Sequence, residues 1–434
     1  MPVLFFFAVV LGIAAAKAAL EAAALNSAWG QAADALGGEL KPARVFTAPR
    51  ITTPHGLVIR SSRGRGASTT FEVSDIRADV GFSKRDPWPS LGSDDRLFTG
   101  DAMFDAAVRV RGSPEDVVPL LGAQARSVVR ELASQGAELK RGRLRLRRMG
   151  PPPKDAHALA AWGGLIAELA AHLSQQARKS LLLENTVTDP EPGVRAKNLA
   201  LLVDKFPRSA EVAQAVQAGL DDLDAAVRVI AAAHQRGETA RGVLRGVVVD
   251  ARVDGETRLT AFNRLVAIFG YPADLASTLL HDADWTLQRA AVTAARDARD
   301  LSQLPRLCAL TREEPAELAQ AAAVALGALG DARAEPALIA LLGHREERVQ
   351  IAAASALGAF GSVRSVEPLL PLTRGLLHGD LHAAARDAVR RIQSRLGDAD
   401  AGRLSVAEPR PEGALSVSEA EGGELSVHPG RQKI

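Results

Sequence analysis

The chain has few aromatic residues and a single cysteine. Aromatic side chains make up 4% of its 434 residues, whereas 47% are apolar, mostly Ala and Leu. Strands are rich in aromatic and β-branched residues, and Ala and Leu are strong helix formers. The composition therefore predicts a mostly helical protein, long enough for two or three domains. Because Cys308 has no cysteine partner, an internal disulfide and a thiolate metal cage are both excluded.

The chain also lacks an excess of charge of either sign. Its 53 basic and 51 acidic residues leave a net charge of +2, so any attraction to nucleic acid or membrane must come from a local patch. The sequence contains no glycine-rich phosphate loop and no nucleophile elbow. Its histidine–aspartate groups at 281–284 and 378–382 fall in predicted turns, and neither offers three or four converging ligands. We therefore expect no enzyme activity, no cofactor and no metal.

Residues 3–16 form an apolar run without charge. As a helix this run is about 21 Å long, against about 30 Å of hydrocarbon in a bilayer. Lys17 can extend to the membrane interface, and residues 18–25 continue as good helix. We predict a single-pass anchor over 1–26, with the body on the cytoplasmic side of the inner membrane by the positive-inside rule. A cleaved signal peptide, giving a secreted or periplasmic protein, and a helix packed into a soluble body are the alternatives.

Residues 27–148 predict a small α+β domain with a mostly antiparallel sheet. A helix over 27–38 would bury Leu25, Trp29, Ala32, Ala33 and Leu36 on one face. Short β-branched or aromatic runs bounded by turn residues predict strands at 44–47, 56–60, 69–74, 79–82 and 105–111. A helix is expected over 115–135, followed by a hairpin over 138–147. This region resembles no family that we can name.

Six cations crowd the predicted hairpin. On a strand, three of them would share one face and Leu144 and Leu146 would share the other. The set is open to three interpretations: a solvated outer face, a patch for anionic lipid headgroups or a partner, and a contact for nucleic-acid backbone. We disfavour nucleic acid because aromatic stacking partners are missing nearby. The six are Lys140, Arg141, Arg143, Arg145, Arg147 and Arg148.

Residues 98–105 look like a motif, and Asp101 and Asp105 within it could in principle bind a cation. Two carboxylates without further oxygen ligands are weak support for a cation site, so we interpret the segment as a turn whose Phe98 and Phe104 fill the core. Segment 149–187 comes next along the chain, beginning with Gly150 and three prolines. Such a linker is stiff, so we expect it to hold two domains apart. A helix over 156–179 would then cap the first of the helical units that begin near residue 188.

From about residue 188 to 396 one helical-pair pattern recurs. The units open at intervals of 30–33 residues, and the copies at 318–331 and 349–362 are the clearest. A fixed period of this size predicts a stacked α-solenoid. The opening residues are Val194, Val227, Thr257, Leu287, Leu318, Val349 and Leu381.

The motif Val-Arg/Gln-x-Ala-Ala-x-x-Ala-Leu-Gly-x-Leu-Gly-Asp resembles the HEAT repeat, in the short bacterial form also found in phycobilisome lyases. Arg195, Arg228 and Arg258 keep the arginine that often comes after the opening residue, and Ala319 and Gln350 replace it. The resemblance implies a right-handed solenoid with a concave ligand face and no single activity. Unlike the di-iron hydroxylases of this class, the chain has no histidine followed by glutamate.

Residues 397–434 predict a disordered tail, since their composition cannot bury enough surface to fold alone. One Gly-x-Leu-Ser-Val motif occurs three times in the tail. The copies are either products of duplication or short docking motifs that add strands to a partner's sheet edge. Their apolar residues are Leu404, Val406, Leu415, Val417, Leu425 and Val427.

Taken together, the sequence predicts a non-enzymatic, membrane-anchored scaffold that binds protein partners on the concave face of its solenoid. The alternatives are an enzyme-associated HEAT module, lyase-like or regulatory, and a HEAT protein that binds nucleic acid or lipid. An acid-rich concave pocket would favour the first alternative. Lysine and arginine along successive second helices would favour the second.

Overall fold

The computed structural model describes residues 2–44, 47–62, 64–85, 96–374 and 379–397; of 2–12 and 396–397 only the backbone is described. The chain forms two compact units, one ending at Gln235 and the other beginning at Arg236. Among the described residues, no helix combines the length and the apolar character needed to cross a membrane. The transmembrane anchor predicted over 1–26 is therefore not supported. The three tail motifs lie outside the described residues.

The first unit combines helices with one antiparallel sheet. Its strands are β1 (Glu39–Lys41), β2 (Arg50–Thr52), β3 (Leu57–Ser61), β4 (Ser68–Val73), β5 (Val80–Lys84), β6 (Val108–Gly112), β7 (Glu138–Lys140) and β8 (Arg143–Met149). Its helices are α1 (Pro2–Ala35), α2 (Ala102–Ala107), α3 (Pro114–Leu120), α4 (Ala123–Ser134), α5 (Ala156–Leu173), α6 (Arg178–Thr188), α7 (Pro192–Lys205), α8 (Ala210–Gly219) and α9 (Ala225–Ala233).

The sheet has the order β1-β2-β3-β4-β8-β7-β5-β6, and every described pair is antiparallel, as predicted. Its inner face packs against helices. Buried side chains alternate with less buried ones along strands such as β3 and β6, whereas β4 is buried at every position except Glu72. Helix α1 is longer than expected, and its C-terminal part buries Trp29, Ala32 and Ala33 in this core. Helix α5 packs against the same core through Ile166 and Leu173.

Four predicted elements of this unit are wrong in detail. In place of the strand predicted over 44–47, Arg44 and Thr47 form only an isolated bridge with each other, residues 45–46 lie outside the described residues, and β1 and β2 lie on either side. The strand predicted over 105–111 begins as helix α2, because the Asp101 side chain accepts from the Phe104 amide and caps a helical turn. The helix predicted over 115–135 is broken between α3 and α4 at Gly122, where a Cβ would lie 2.4 Å from the Asn185 side chain. The capping helix predicted over 156–179 is divided into α5, which joins the sheet core, and α6, which packs on α7.

The second unit is all helical in its described residues. Its helices are α10 (Glu238–Val249), α11 (Gly255–Phe269), α12 (Ala273–Leu279), α13 (Trp285–Asp297), α14 (Leu304–Leu310), α15 (Ala316–Leu329), α16 (Glu335–Leu341), α17 (Glu347–Phe360), α18 (Val366–Leu369) and α19 (Gly379–Gly397). Long helices α11, α13, α15, α17 and α19 contact one another in sequence, and short second helices pack beside them.

The predicted repeat register agrees with the observed burial. Opening residues Val194, Leu287, Leu318 and Val349 are all at most 2% exposed. The apolar stripe closes eight residues later, and its last residues, such as Leu326, are also buried. Small residues between them allow close approach: a Cβ on Gly327 would lie 2.7 Å from the Ala356 Cβ. The helical pairs therefore bury their apolar faces against their neighbours, as expected for repeats.

Candidate partner-binding groove and basic sheet face

A groove of about 630 Å³ crosses the outward faces of α11, α13 and α15 in the second unit. The three long helices contribute equivalent positions to it, because each opens a repeat in the same register. Asn263, Thr293 and Val324 line the groove and each lies six residues after its opening residue, Thr257, Leu287 or Leu318. The groove is thus a product of the repeat.

The floor of the groove is apolar, and its rim combines apolar and polar side chains. Phe262 and Ala294 lie on the floor and are buried, while Val324 is 41% exposed at the rim. Asn263 and Gln320 also line the groove, and neither side-chain amide has a hydrogen-bond partner within the described part of the chain. The groove therefore offers apolar contact area together with amide groups that can both donate and accept.

The acidic groups of the groove are paired. Asp297 lies 2.8 Å from Arg296, and Glu317 lies 2.9 Å from Arg348 of α17. The pKa of Glu317 is lowered, first by its own backbone amide and then by Arg348, against the opposing effect of desolvation. Glu317 is therefore ionised at neutral pH, and the groove carries balanced charge.

A recurring arginine–aspartate contact connects successive elements of the repeats. Arg195 donates to both carboxylate oxygens of Asp222 at 2.9 and 2.7 Å, and Arg258 contacts Asp282 in the same bidentate way. Each aspartate also accepts the amide two residues further on. Burial alone would raise the pKa of Asp222, but hydrogen bonds from Arg195 and from the Asp224 amide outweigh it and lower the pKa.

Asp189, before the first repeat, occupies the position equivalent to Asp222 and Asp282, but the arginine that contacts it comes from the sheet region. Arg126 of α4 donates to both oxygens of Asp189 at 2.7 and 3.0 Å, and Asp189 again accepts an amide two residues on, that of Glu191. Arg126 also donates to Asp101 at 2.9 Å. The Arg126 and Asp189 side chains are only 4% and 1% exposed. Arg126 therefore stands where a preceding repeat would place its arginine.

The sheet region contacts the first helical pairs at several other points, so the expectation that a stiff linker holds them apart is wrong within this unit. Gly100 packs directly on Gly193: a Cβ at either position would lie 2.4 Å or less from backbone atoms of the other. The Asn185 side chain donates to the Pro119 carbonyl at 2.9 Å. The prolines do not separate the two parts, because Trp29 donates to the Pro153 carbonyl and holds the linker against the core.

The motif at 98–105 is a structural turn. The buried Asp105 carboxylate accepts hydrogen bonds from the backbone amide and hydroxyl of Thr99 and from the Gly100 amide. Asp101 caps α2 and contacts Arg126. Phe104 is buried as predicted, but Phe98 is 49% exposed and does not fill the core. Both carboxylates are thus engaged by protein groups.

The structure distributes the six predicted cations of the hairpin over three environments. Arg143, Arg145 and Arg147 point outward, opposite the buried Leu144 and Leu146. Lys140 lies directly opposite Arg143 in the strand register and on the same face of the sheet. Arg141 lies in the two-residue turn between β7 and β8 and has a φ of 52°. Arg148 stacks over the Trp162 ring at 5.1 Å. The role of these residues stays a prediction.

Histidine and carboxylate groups form no candidate metal site among the residues that the structure describes. His281 contacts the Ser277 carbonyl through Nδ1, and His382 contacts the Leu372 carbonyl in the same way. His378 lies outside the described residues. Cys308 is partly buried in α14, and desolvation raises the pKa of its thiol.

Comparison with known proteins identifies the repeat class. Residues 304–390 match the family model for HEAT repeats. No curated protein matches the chain. Among solved structures, one engineered protein shares 19% identity, with 68% of this chain and 90% of that chain covered and a TM-score of 0.37. A designed armadillo repeat protein shares 15% identity, with 49% and 98% covered and a TM-score of 0.27.

Proposed function

We propose that this protein is a scaffold that binds an extended segment of a partner protein in the groove of α11, α13 and α15. The observation that carries the proposal is the apolar floor bordered by two amide side chains without partners in the described chain. Amides that donate and accept suit a peptide backbone, which presents both kinds of group. Partly exposed apolar side chains of the lining, such as Leu259, Val266 and Val324, supply the area that side chains of the segment bury.

The dimensions of the groove suggest the length of the segment. Packed helices lie about 8–10 Å apart, so three of them span about 20 Å. An extended chain rises about 3.3 Å per residue, and about six residues match that span. Alternate side chains of an extended segment face the same way, so we expect two or three small apolar residues to contact the floor.

The charges of the groove argue against the alternative functions. A lyase-like or regulatory enzyme module would need an acid-rich pocket, but Asp297 and Glu317 are each paired with an arginine. A nucleic-acid surface would need cations in excess, whereas two of the cations here neutralise carboxylates. A partner segment with few charges fits best. The cellular location stays a prediction.

The test uses two valines of similar exposure. Val324 lines the groove and is 41% exposed, and Val363 lies outside the lining and is 37% exposed. Peptides are selected from a displayed random library on the full-length protein, and their affinities are then measured for Val324→Asp and Val363→Asp. We expect Val324→Asp to weaken binding at least tenfold, because it places a charge among apolar contacts, and Val363→Asp to leave it unchanged. Selected peptides that bind both variants equally would contradict the proposal.

A further inference from the structure

The outer face of the sheet adds cations from other strands to the basic hairpin that the sequence predicts. One row of cross-strand neighbours runs Lys41, Arg50, Arg60, Thr70 and Arg147, from β1 to β8. Three cations stand side by side in this row, and like charges directly opposite each other on paired strands are destabilising. The fold thus places these cations together at a cost to its own stability.

Glu72 is the carboxylate nearest the middle of this face. It contacts Arg60 at 3.2 Å, Arg143 at 3.8 Å and Arg145 at 3.9 Å. One negative charge therefore serves three guanidinium groups. The Arg145 Nε is buried on the side of Glu72, but the Arg60 and Arg143 side chains are 51% and 61% exposed, so these two guanidinium groups can meet a further anion.

The basic face continues across the other half of the sheet. A depression of about 350 Å³ there is lined by Arg109, Arg111 and Lys140, together with the carboxylates Asp79 and Glu138. Counting outward-facing residues on all eight strands, nine lysines and arginines accompany three glutamates, which leaves +6 on one face. The whole chain carries only +2, so the charge is local to this surface.

We propose that this face binds anionic phospholipid headgroups at a membrane surface. The outward-facing strand residues include no aromatic side chain, which single-stranded nucleic acid would need for stacking. Protein interfaces depend on buried apolar anchors, and Val58 and Met149 are the large apolar side chains here. Neighbouring strands are also rotated by about 20–25°, so phosphates at the fixed spacing of a duplex would not follow the face. Lipid headgroups diffuse laterally and can meet each cation separately.

The proposal is independent of the groove. Each cation near an anionic bilayer strengthens binding about fivefold. Replacing three exposed ones, Arg50→Gln with Arg60→Gln and Arg143→Gln, should therefore weaken binding roughly 100-fold. The matched control removes three exposed arginines from elsewhere in the chain, namely Arg130→Gln, Arg208→Gln and Arg264→Gln.

The experiment is co-sedimentation of the full-length protein with vesicles of phosphatidylcholine alone or with phosphatidylglycerol. We expect the unchanged protein to bind the anionic vesicles and high salt to abolish this binding. The face variant should lose the binding, and the control variant should keep its affinity within about threefold of the unchanged protein. Attachment through the apolar N-terminal residues would not distinguish the two lipid compositions. A third variant with lysine at positions 50, 60 and 143 should still bind, which separates loss of charge from loss of folding. No preference for anionic vesicles, equal losses in face variant and control, or binding of a nucleic acid or an acidic peptide in place of vesicles would overturn the proposal.

Discussion

Replacing Arg126 by methionine tests how the sheet region is joined to the first helical pair. The substitution keeps most of the apolar length of the side chain and removes the charge that Asp189 and Asp101 share. Asp189 is almost fully buried, so water cannot replace the lost guanidinium. Breaking a buried pair by removing one partner typically costs about 3–5 kcal/mol.

The same change at an exposed ion pair gives the control. Arg345 and Glu314 lie 2.8 Å apart, but their side chains are 71% and 65% exposed. Exposed pairs contribute about 0–1 kcal/mol because water solvates both charges, so Arg345→Met should have little effect on stability. Comparing the two variants shows how much of the stability change comes from burial of the ion pair.

Calorimetric melting of the full-length protein provides the measurement. For a unit of about 235 residues, each kcal/mol lowers the melting temperature by about 2–4 °C, so Arg126→Met should lower it by about 10 °C. Hydrogen exchange should show faster opening at residues 185–200, where Asp189 lies. The double variant Arg126→Met with Asp189→Asn should cost less than the sum of the single changes. A fall of under 2 °C for Arg126→Met, no larger than that of the exposed control, would refute the reasoning.

Two further predictions concern the same unit. Gly193→Ala should destabilise it by about 1–3 kcal/mol, because the added Cβ would lie 2.3 Å from the Gly100 carbonyl oxygen. Gly164 lies in a helix with open space beside it, so the control Gly164→Ala should stabilise the unit by about 0.5–1 kcal/mol. Chemical denaturation measures both changes, and a Gly193→Ala variant more stable than Gly164→Ala would contradict this packing. The lowered pKa of Asp222 means that its stabilisation is present above about pH 4 and is lost as the pH falls through the folded-state value. An acid titration of melting temperature should therefore fall less steeply below pH 4 in Arg195→Met than in the unchanged protein, and parallel curves would count against it.

Helical repeats were predictable because their packing is local. Each long helix buries residues at fixed offsets, so Leu318 and Leu326 could be assigned to the core from spacing alone. The hairpin was predictable for a similar reason: Leu144 and Leu146 alternate with arginines, and only one face of a strand can be buried. In both cases the pattern that makes the prediction lies within a short stretch of the chain.

The breaks in the predicted helices could not be found in this way. Gly122 lies at the break between α3 and α4, where the Asn185 side chain leaves no space for a Cβ, and that neighbour is distant in sequence. The opposite error, a strand predicted where α2 forms, arose from a short capping interaction of Asp101 that apolar periodicity does not register. A partner-binding face of the solenoid was predicted, but the residues that line the groove were not, because positions such as Asn263 and Thr293 share exposure and not residue type.

By itself the sequence determined the helical repeats, their register and the alternation of the basic hairpin, since each of these depends on residues that are near one another along the chain. Tertiary structure alone decided that Arg126 meets Asp189 across 63 positions, and that Arg60 lies beside the hairpin through the strand order β3-β4-β8. Charges pair, or crowd together, according to distance in space. That distance is set by strand pairing and helix packing. The number of residues between two segments does not tell whether the fold brings them into contact.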